Sequence, residues 1–199
     1  MGSCGCGSGP AAALERRTLL WVLLINAGMF VVELVLGLRG QSTGLVADSL
    51  DMLADAGVYA LSLGAVGEHP RRQRRAAALS GLLQVLLAGG VLVDVARRAL
   101  QGSEPAGPLM VAVGVAALAA NLLCVALISR HRHGGVHMRA SLIFSTNDTL
   151  ANAGVILSGL LVAWLGSPVP DLLIGLAISA MVLRGGLQIL REARRSAAA

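Results

Sequence analysis

At 199 residues, 55% of them hydrophobic and 14% charged, with a mean hydropathy of +0.74, the chain carries too few charges to coat a water-soluble globule and reads as a membrane protein. Six spans of about 20 residues would consume about 120 positions, leaving short loops and no room for a second folded domain. All 16 basic residues are arginine, but a nucleic-acid surface needs a soluble basic face with aromatic or helical readers; with aromatics at 3%, nucleic acid is excluded as a partner.

The chain opens on Met1-Gly-Ser-Cys-Gly-Cys-Gly, which lacks the basic start of a removable targeting peptide. Residues 1–17 are expected to be a disordered cytoplasmic leader. Within it, Cys4 and Cys6 have two readings: a pair of thiols that shares a soft metal ion, or part of a plain Gly/Ser segment, since two thiols alone do not fill a tetrahedral site. Sustained apolarity predicts helices over residues 18–38, 43–66, 76–95, 107–128, 140–165 and 169–190. Residues 18–190 are therefore read as a six-helix transmembrane domain and 191–199 as a short cytoplasmic tail. A bilayer core leaves backbone groups no partner outside the chain, and the links lack the alternating short segments of a barrel, so the expected architecture is an all-α membrane bundle. Arginine counting orients it: with both termini in the cytoplasm, twelve of the sixteen arginines fall in cytoplasmic segments, and only Arg39, Arg97 and Arg98 lie opposite, Arg184 being inside the last span.

Acidic residues inside the spans are the informative ones, because an ionised carboxylate at mid-bilayer costs at least about 2.5 kcal/mol and must be protonated, paired or wet. In the first span Asn26 and Glu33 stand two turns apart on one face, suited to supporting hydrogen bonds or a proton path. The second span holds Asp48, Asp51 and Asp55. Asp51 and Asp55 are one turn apart and project toward one point; with no lysine in the chain, their repulsion is best relieved by a divalent cation or by protons, and competition between the two is itself a mechanism. Asp48 either joins that site or caps the helix, the structural role being favoured. Asp94 ends the third span, and Cys124 in the fourth reads as a small packing residue.

The run Arg130-His-Arg-His-Gly-Gly-Val-His offers His131, His133 and His137, either as an entrance for cations or as an ordinary charged loop whose arginines repel them. In the fifth span Asp148 is the only acid, with Phe144, Ser145 and Asn152 on its face and Asn147 about 100° away. The amides of Asn147 and Asn152 are read as site donors, against the alternative of interhelical hydrogen bonding. Asp171 follows Pro170 at the start of the sixth span, where a structural role at the helix N-terminus is expected.

These residues resemble the cation diffusion facilitator family. The stretch from Asn26 through Glu33 to Gly37, followed by Gly44-Leu-Val-Ala-Asp-Ser-Leu-Asp-Met-Leu-Ala-Asp, is similar to that family's first two spans, with Asp51 and Asp55 in the places of its paired ligands. Asp148-Thr-Leu-Ala-Asn-Ala-Gly-Val-Ile and Pro170-Asp-Leu-Leu-Ile-Gly-Leu resemble parts of its fifth and sixth spans. The resemblance implies a homodimeric six-helix transporter of the inner (plasma) membrane of a bacterium, exporting divalent metal from the cytoplasm in exchange for protons by alternating access, with no organic cofactor. Phe144 stands where the family usually has a ligating His or Asp, so a fourth ligand comes from Ser145, Asn147, Asn152, water or nothing. The expected metal site is thus Asp51, Asp55, Asp148, Asn147 and Asn152. An all-oxygen donor set shifts expectation toward manganese, iron or cobalt, with zinc and cadmium retained because affinity order alone favours zinc over those three. Eight residues follow Arg191, giving the expectation of a short form without the family's C-terminal cytoplasmic domain; a dimer would then use small-residue surfaces of the third, fourth and sixth spans. A membrane phosphoalcohol transferase would need further aspartates and an Asp-Gly context that the second span lacks, so no enzyme is expected. A metal-binding sensor or accessory subunit without transport is the alternative.

Overall fold

Among the residues described by the computed structural model, which are 10–64, 70–129 and 136–198, there are six helices and no strand. They are α1 (Pro10–Arg39), α2 (Thr43–Gly64), α3 (Pro70–Gln101), α4 (Gly107–Ser129), α5 (Val136–Leu165) and α6 (Val169–Ala198). The all-α bundle is as expected, but the helices outrun the apolar stretches. α1 reaches back to Pro10, into the segment expected to be an unstructured leader, and α6 runs through the expected tail to Ala198. Hydropathy marks where a helix meets lipid. Alanine, arginine, glutamate and leucine at its polar ends sustain the hydrogen-bonded helix beyond that point, and proline at the first position of α1 and α3 costs no intrahelical bond. Cys4, Cys6, His131 and His133 lie outside the described residues.

Four helices are long and apolar enough to cross a membrane: Arg16–Arg39, Gly107–Ser129, Asp148–Leu165 and Val169–Arg191. The other two, α2 and α3, dilute their apolarity with the three aspartates of one and the arginines of the other. Burial shows how six fit together. On α4 the buried positions Met110, Val113, Gly114, Ala117, Asn121, Cys124 and Ile128 recur at three- and four-residue spacing, the stripe of a helix with one protein-facing side. Outward stand Trp21, Leu24, Val93, Leu100, Leu122, Leu157 and Trp164, an apolar exterior too extensive for water and suited to acyl chains.

The three connections α1–α2, α3–α4 and α5–α6 gather at one end. The first is a tight reversal in which Gly40 N–H donates to Leu36 C=O at 2.8 Å and Ser42 N–H to Gly37 C=O at 2.9 Å, with Gln41 at φ 49°. Ala106 N–H of the second connection donates to Gly40 C=O at 2.9 Å, and Arg98 of α3 donates to Gln41 C=O. Asp94 holds Arg98 in place at 2.6 Å.

α2 touches each of the other five helices, whereas α3 meets only α2 and α6 among the described residues. The bundle is therefore a group of α1, α2, α4 and α5 with the α3–α6 pair laid behind α2. Glycines let the backbones approach: a Cβ on Gly175 would stand 2.9 Å from Thr43, and one on Gly107 2.7 Å from Gly159 C=O. Gly81 likewise meets Gly186. These small-residue surfaces of α3, α4 and α6 are consequently used within the chain. Gly175→Leu should drive the α2–α6 crossing apart, and overpacking of this kind costs about 1–3 kcal/mol; a fall in the thermal unfolding midpoint in detergent checks it.

Candidate metal centre

Helices α1, α2, α4 and α5 enclose a column of polar side chains in an otherwise apolar interior. α2 supplies Asp48, Asp51 and Asp55 on one face, α5 supplies Asp148 and Asn152, α1 supplies Asn26 and Glu33, and α4 supplies Asn121 and Cys124. Glu33, Asp48, Asp55 and Asp148 are at most 4% exposed. The carboxyls of Asp51 and Asp55, about 6 Å apart along the helix axis, both come within hydrogen-bonding reach of Asp148. The three acids expected to form the site are thus brought together from two helices. Tyr59, a turn beyond Asp55, donates its hydroxyl to Asp55 Oδ2 at 3.4 Å.

Among the described residues no three His, Cys, Asp or Glu side chains are placed so as to hold a metal ion together. The acids meet in pairs instead, and among the described residues no arginine pairs with them; Arg97 and Arg98 are engaged by Asp94. Asn152 donates to Asp148 C=O at 2.8 Å, which is the local hydrogen bond of a polar residue in a membrane helix. Its amide oxygen is buried without a donor, as is Asp148 Oδ2, so both acceptors are unsatisfied. Phe144, Ser145, Asn147 and His137 lie on α5, but their side chains are outside the described set.

Two features were not legible beforehand. Glu33 and Asp48, from adjacent helices, lie within hydrogen-bonding reach of one another, and no other donor reaches their four oxygens. Such a contact is attractive only if a proton or a cation sits between the two carboxyls. Asp48 is therefore not the helix cap favoured from sequence. That role belongs to Ser42, whose Oγ accepts from Leu45 N–H at 3.1 Å, and to Asp171. The second feature is the completeness of Asp171's engagement: Oδ1 accepts from Ser42 Oγ at 2.7 Å and Gly44 N–H at 2.9 Å, and Oδ2 from Thr43 N–H and Thr43 Oγ1, both at 2.7 Å. Its structural role holds, but it caps α2 as well as opening α6. Both pairings depend on how two helices are set side by side, which spacing along one helix does not encode.

Asn26 joins α1 to α4, its amide donating to Val22 C=O at 2.9 Å and to Cys124 Sγ at 3.8 Å. On the side of the pocket away from the three gathered connections, Leu19, Val22, Tyr59, Cys124 and Ile128 form an apolar cluster. Each lies one or two turns past Asn26, Asp55 or Asn121 toward the chain termini, so the cluster plugs the α1, α2 and α4 side of the polar column at that end. Cys124 is the packing residue expected from sequence, although it also borders the column. Two substitutions separate the roles of the buried acids. Asp171→Ala should cost about 3 kcal/mol of stability through four abandoned donors, whereas Glu33→Gln, whose amide donates to Asp48, should unfold at or above the wild-type temperature; parallel thermal melts in detergent read both.

Residues 19–196 match the cation efflux transmembrane domain. The chain is 27% identical over 194 residues to the zinc transporter ZitB of Escherichia coli strain K12, covering 89% of this chain and 61% of that protein. It is 26% identical to the probable zinc transporter MSC2 of Saccharomyces cerevisiae over 89% of this chain and 27% of that protein. It is 21% identical to the cadmium, cobalt and zinc/H(+)-K(+) antiporter of Bacillus subtilis strain 168, over 89% of this chain and 62% of that protein. The chain thus spans about three fifths of the length of its bacterial relatives. A match across nearly the whole bundle, with the paired acids of α2 facing Asp148 of α5, leads to one assignment: the chain belongs to the cation efflux family, whose members are membrane transporters rather than enzymes.

Proposed function

We propose that this protein moves divalent transition-metal ions out of the cytoplasm in exchange for protons, through a site formed by Asp51, Asp55 and Asp148 with the amide oxygens of Asn152 and Asn147. The observation that carries the reading is the meeting of the two α2 carboxyls with Asp148 inside an apolar bundle, where no arginine among the described residues pairs with them. A multiply charged cation neutralises such a cluster, and protons do the same when the ion leaves, so binding of one opposes binding of the other. The pairwise arrangement suits this exchange: carboxyls that share protons draw together, and a cation separates them to about 2.0–2.2 Å of itself.

The relatives' names point to zinc, cadmium and cobalt, and the oxygen donors to manganese, iron and cobalt. Cobalt satisfies both, with zinc next by affinity. The arginine distribution supports termini in the cytoplasm, and the bacterial relatives support an inner-membrane location. A homodimer fits the family, and Gly89 and Gly90 of α3, which open onto free space, offer it a close-packing surface.

The test is uptake by proteoliposomes with an acidic lumen. Outward-flowing protons should drive cobalt or zinc inward, a protonophore should abolish the driven component, and Asp51→Ala, Asp55→Ala and Asp148→Ala should each lower the initial rate at least about 100-fold while the purified variants remain folded. Wild-type rates in the variants would refute the site, and metal binding by calorimetry without flux would make the protein a sensor.

A further inference from the structure

A second feature lies on the opposite side of α2 from the acids. A cavity of about 240 Å³, open on its outer side where Leu83 and Ala60 are exposed, is lined by Leu50, Leu53, Gly57 and Ala60 of α2, Leu87 of α3 and Val182 of α6, among others. These α2 positions fall about 100–180° around the helix from Asp51 and Asp55. α2 is therefore a single-helix wall with a charged pocket before it and an unfilled apolar space behind it. The two ends of this wall are held differently. At the α1–α2 turn, Asp171 fastens α2 to α6 by four hydrogen bonds and Gly175 brings the backbones into contact with Thr43. Beyond Leu50, the half that carries Asp51, Asp55 and Tyr59 is backed by the cavity.

We propose that α2 works as a lever pinned at Asp171, whose free half shifts into this cavity, withdraws Tyr59 from the apolar plug and opens the acidic pocket toward the chain termini. The motion follows from where the fold offers least resistance. Interiors packed to crystal density do not deform continuously, so a helix moves most readily toward unfilled space, and on that face α2 presents the small residues Ala54, Gly57 and Ala60. Tyr59 is wholly buried between α1 and α4 with Leu19, Val22, Cys124 and Ile128, and it shares the free half with Asp55, to which it is hydrogen-bonded. A change in the contents of the pocket is thus transmitted directly to the plug. The pinned end keeps the depth and rotation of α2 fixed, making Asp171 a positioning residue for the two acids.

The inference rests on the transport reading but is tested apart from it. Gly57→Leu fills the cavity from α2 and Leu87→Phe fills it from α3, where α2 is untouched. If the cavity is mere imperfect packing, both substitutions should leave function alone and raise stability, Gly57→Leu also by better helix propensity. The lever predicts stable variants that bind Zn²⁺ with a Kd within about threefold of wild type but take it up at least about tenfold more slowly. A second readout needs no transport: in a Cys4→Ser, Cys6→Ser background, labelling of Cys124 by a membrane-impermeant maleimide from the terminal face should slow by a similar factor. Wild-type uptake or labelling in either folded, filled variant overturns the lever. If wild type itself carries no Zn²⁺, Mn²⁺ or Co²⁺ the transport reading fails, and the labelling rates still decide the lever. Asp171→Asn adds the converse signature, a Kd raised at least about tenfold in protein that remains folded; an unchanged Kd with only a lower melting temperature removes Asp171 from the positioning role.

Discussion

Burying a carboxyl in a lipid-embedded interior is costly unless something neutralises it, and this bundle gathers Glu33, Asp48, Asp51, Asp55 and Asp148 where no arginine pairs with them among the described residues. The rest of the architecture follows from keeping that arrangement viable. Four helices close around the acids and exclude the acyl chains. α2 sits in the centre and contributes three of the five, and its reverse face is apolar so that the α3–α6 pair has something to pack against. The acids then have two means of relief, a proton shared between carboxyls or a cation among them, and alternation between these is the chemical basis of the proposed exchange.

The contrast between Asp171 and the other buried acids shows how the same side chain serves two ends. Asp171 is wholly buried, yet each of its oxygens accepts two hydrogen bonds from the first residues of α2 and their preceding serine. A carboxyl at a helix N-terminus, satisfied by backbone and hydroxyl donors, is a fixed acceptor. Glu33, Asp48 and Asp148 retain oxygens that no neutral donor reaches, which leaves them responsive to whatever enters the pocket. Rigidity at one end of α2 and responsiveness along its middle are therefore built from identical chemistry in different surroundings.

Membership of the cation efflux family places this chain among transporters, and the geometry says where its own features lie. Its acids pair rather than cage, its plug contains a thiol and a tyrosine, and its central helix has an unfilled space behind it. Phe144 occupies the position where a ligand was expected, which leaves Asn152 as the described amide with an unsatisfied oxygen beside Asp148.

Much of this was legible in the amino-acid order. Apolar stretches separated by polar breaks determined six helices, the four-residue spacing of Asp51 and Asp55 put both on one face, and an acid at Asp148 in so apolar a span marked its importance. These are properties of a single helix, or of a segment and its solvent, and they need no knowledge of neighbours. The helix limits were less legible because hydropathy reports contact with lipid, whereas a helix persists wherever its backbone bonds and side chains favour it, as at Pro10 and Ala198. Only the tertiary structure decided that Asp148 meets the α2 acids, that Glu33 faces Asp48, that Asp171 caps a helix other than its own, and that a cavity lies behind α2. Each of those depends on the rotation and depth of one helix against another, set by close glycine crossings and interlocking side chains, and no periodicity within a single segment carries that information.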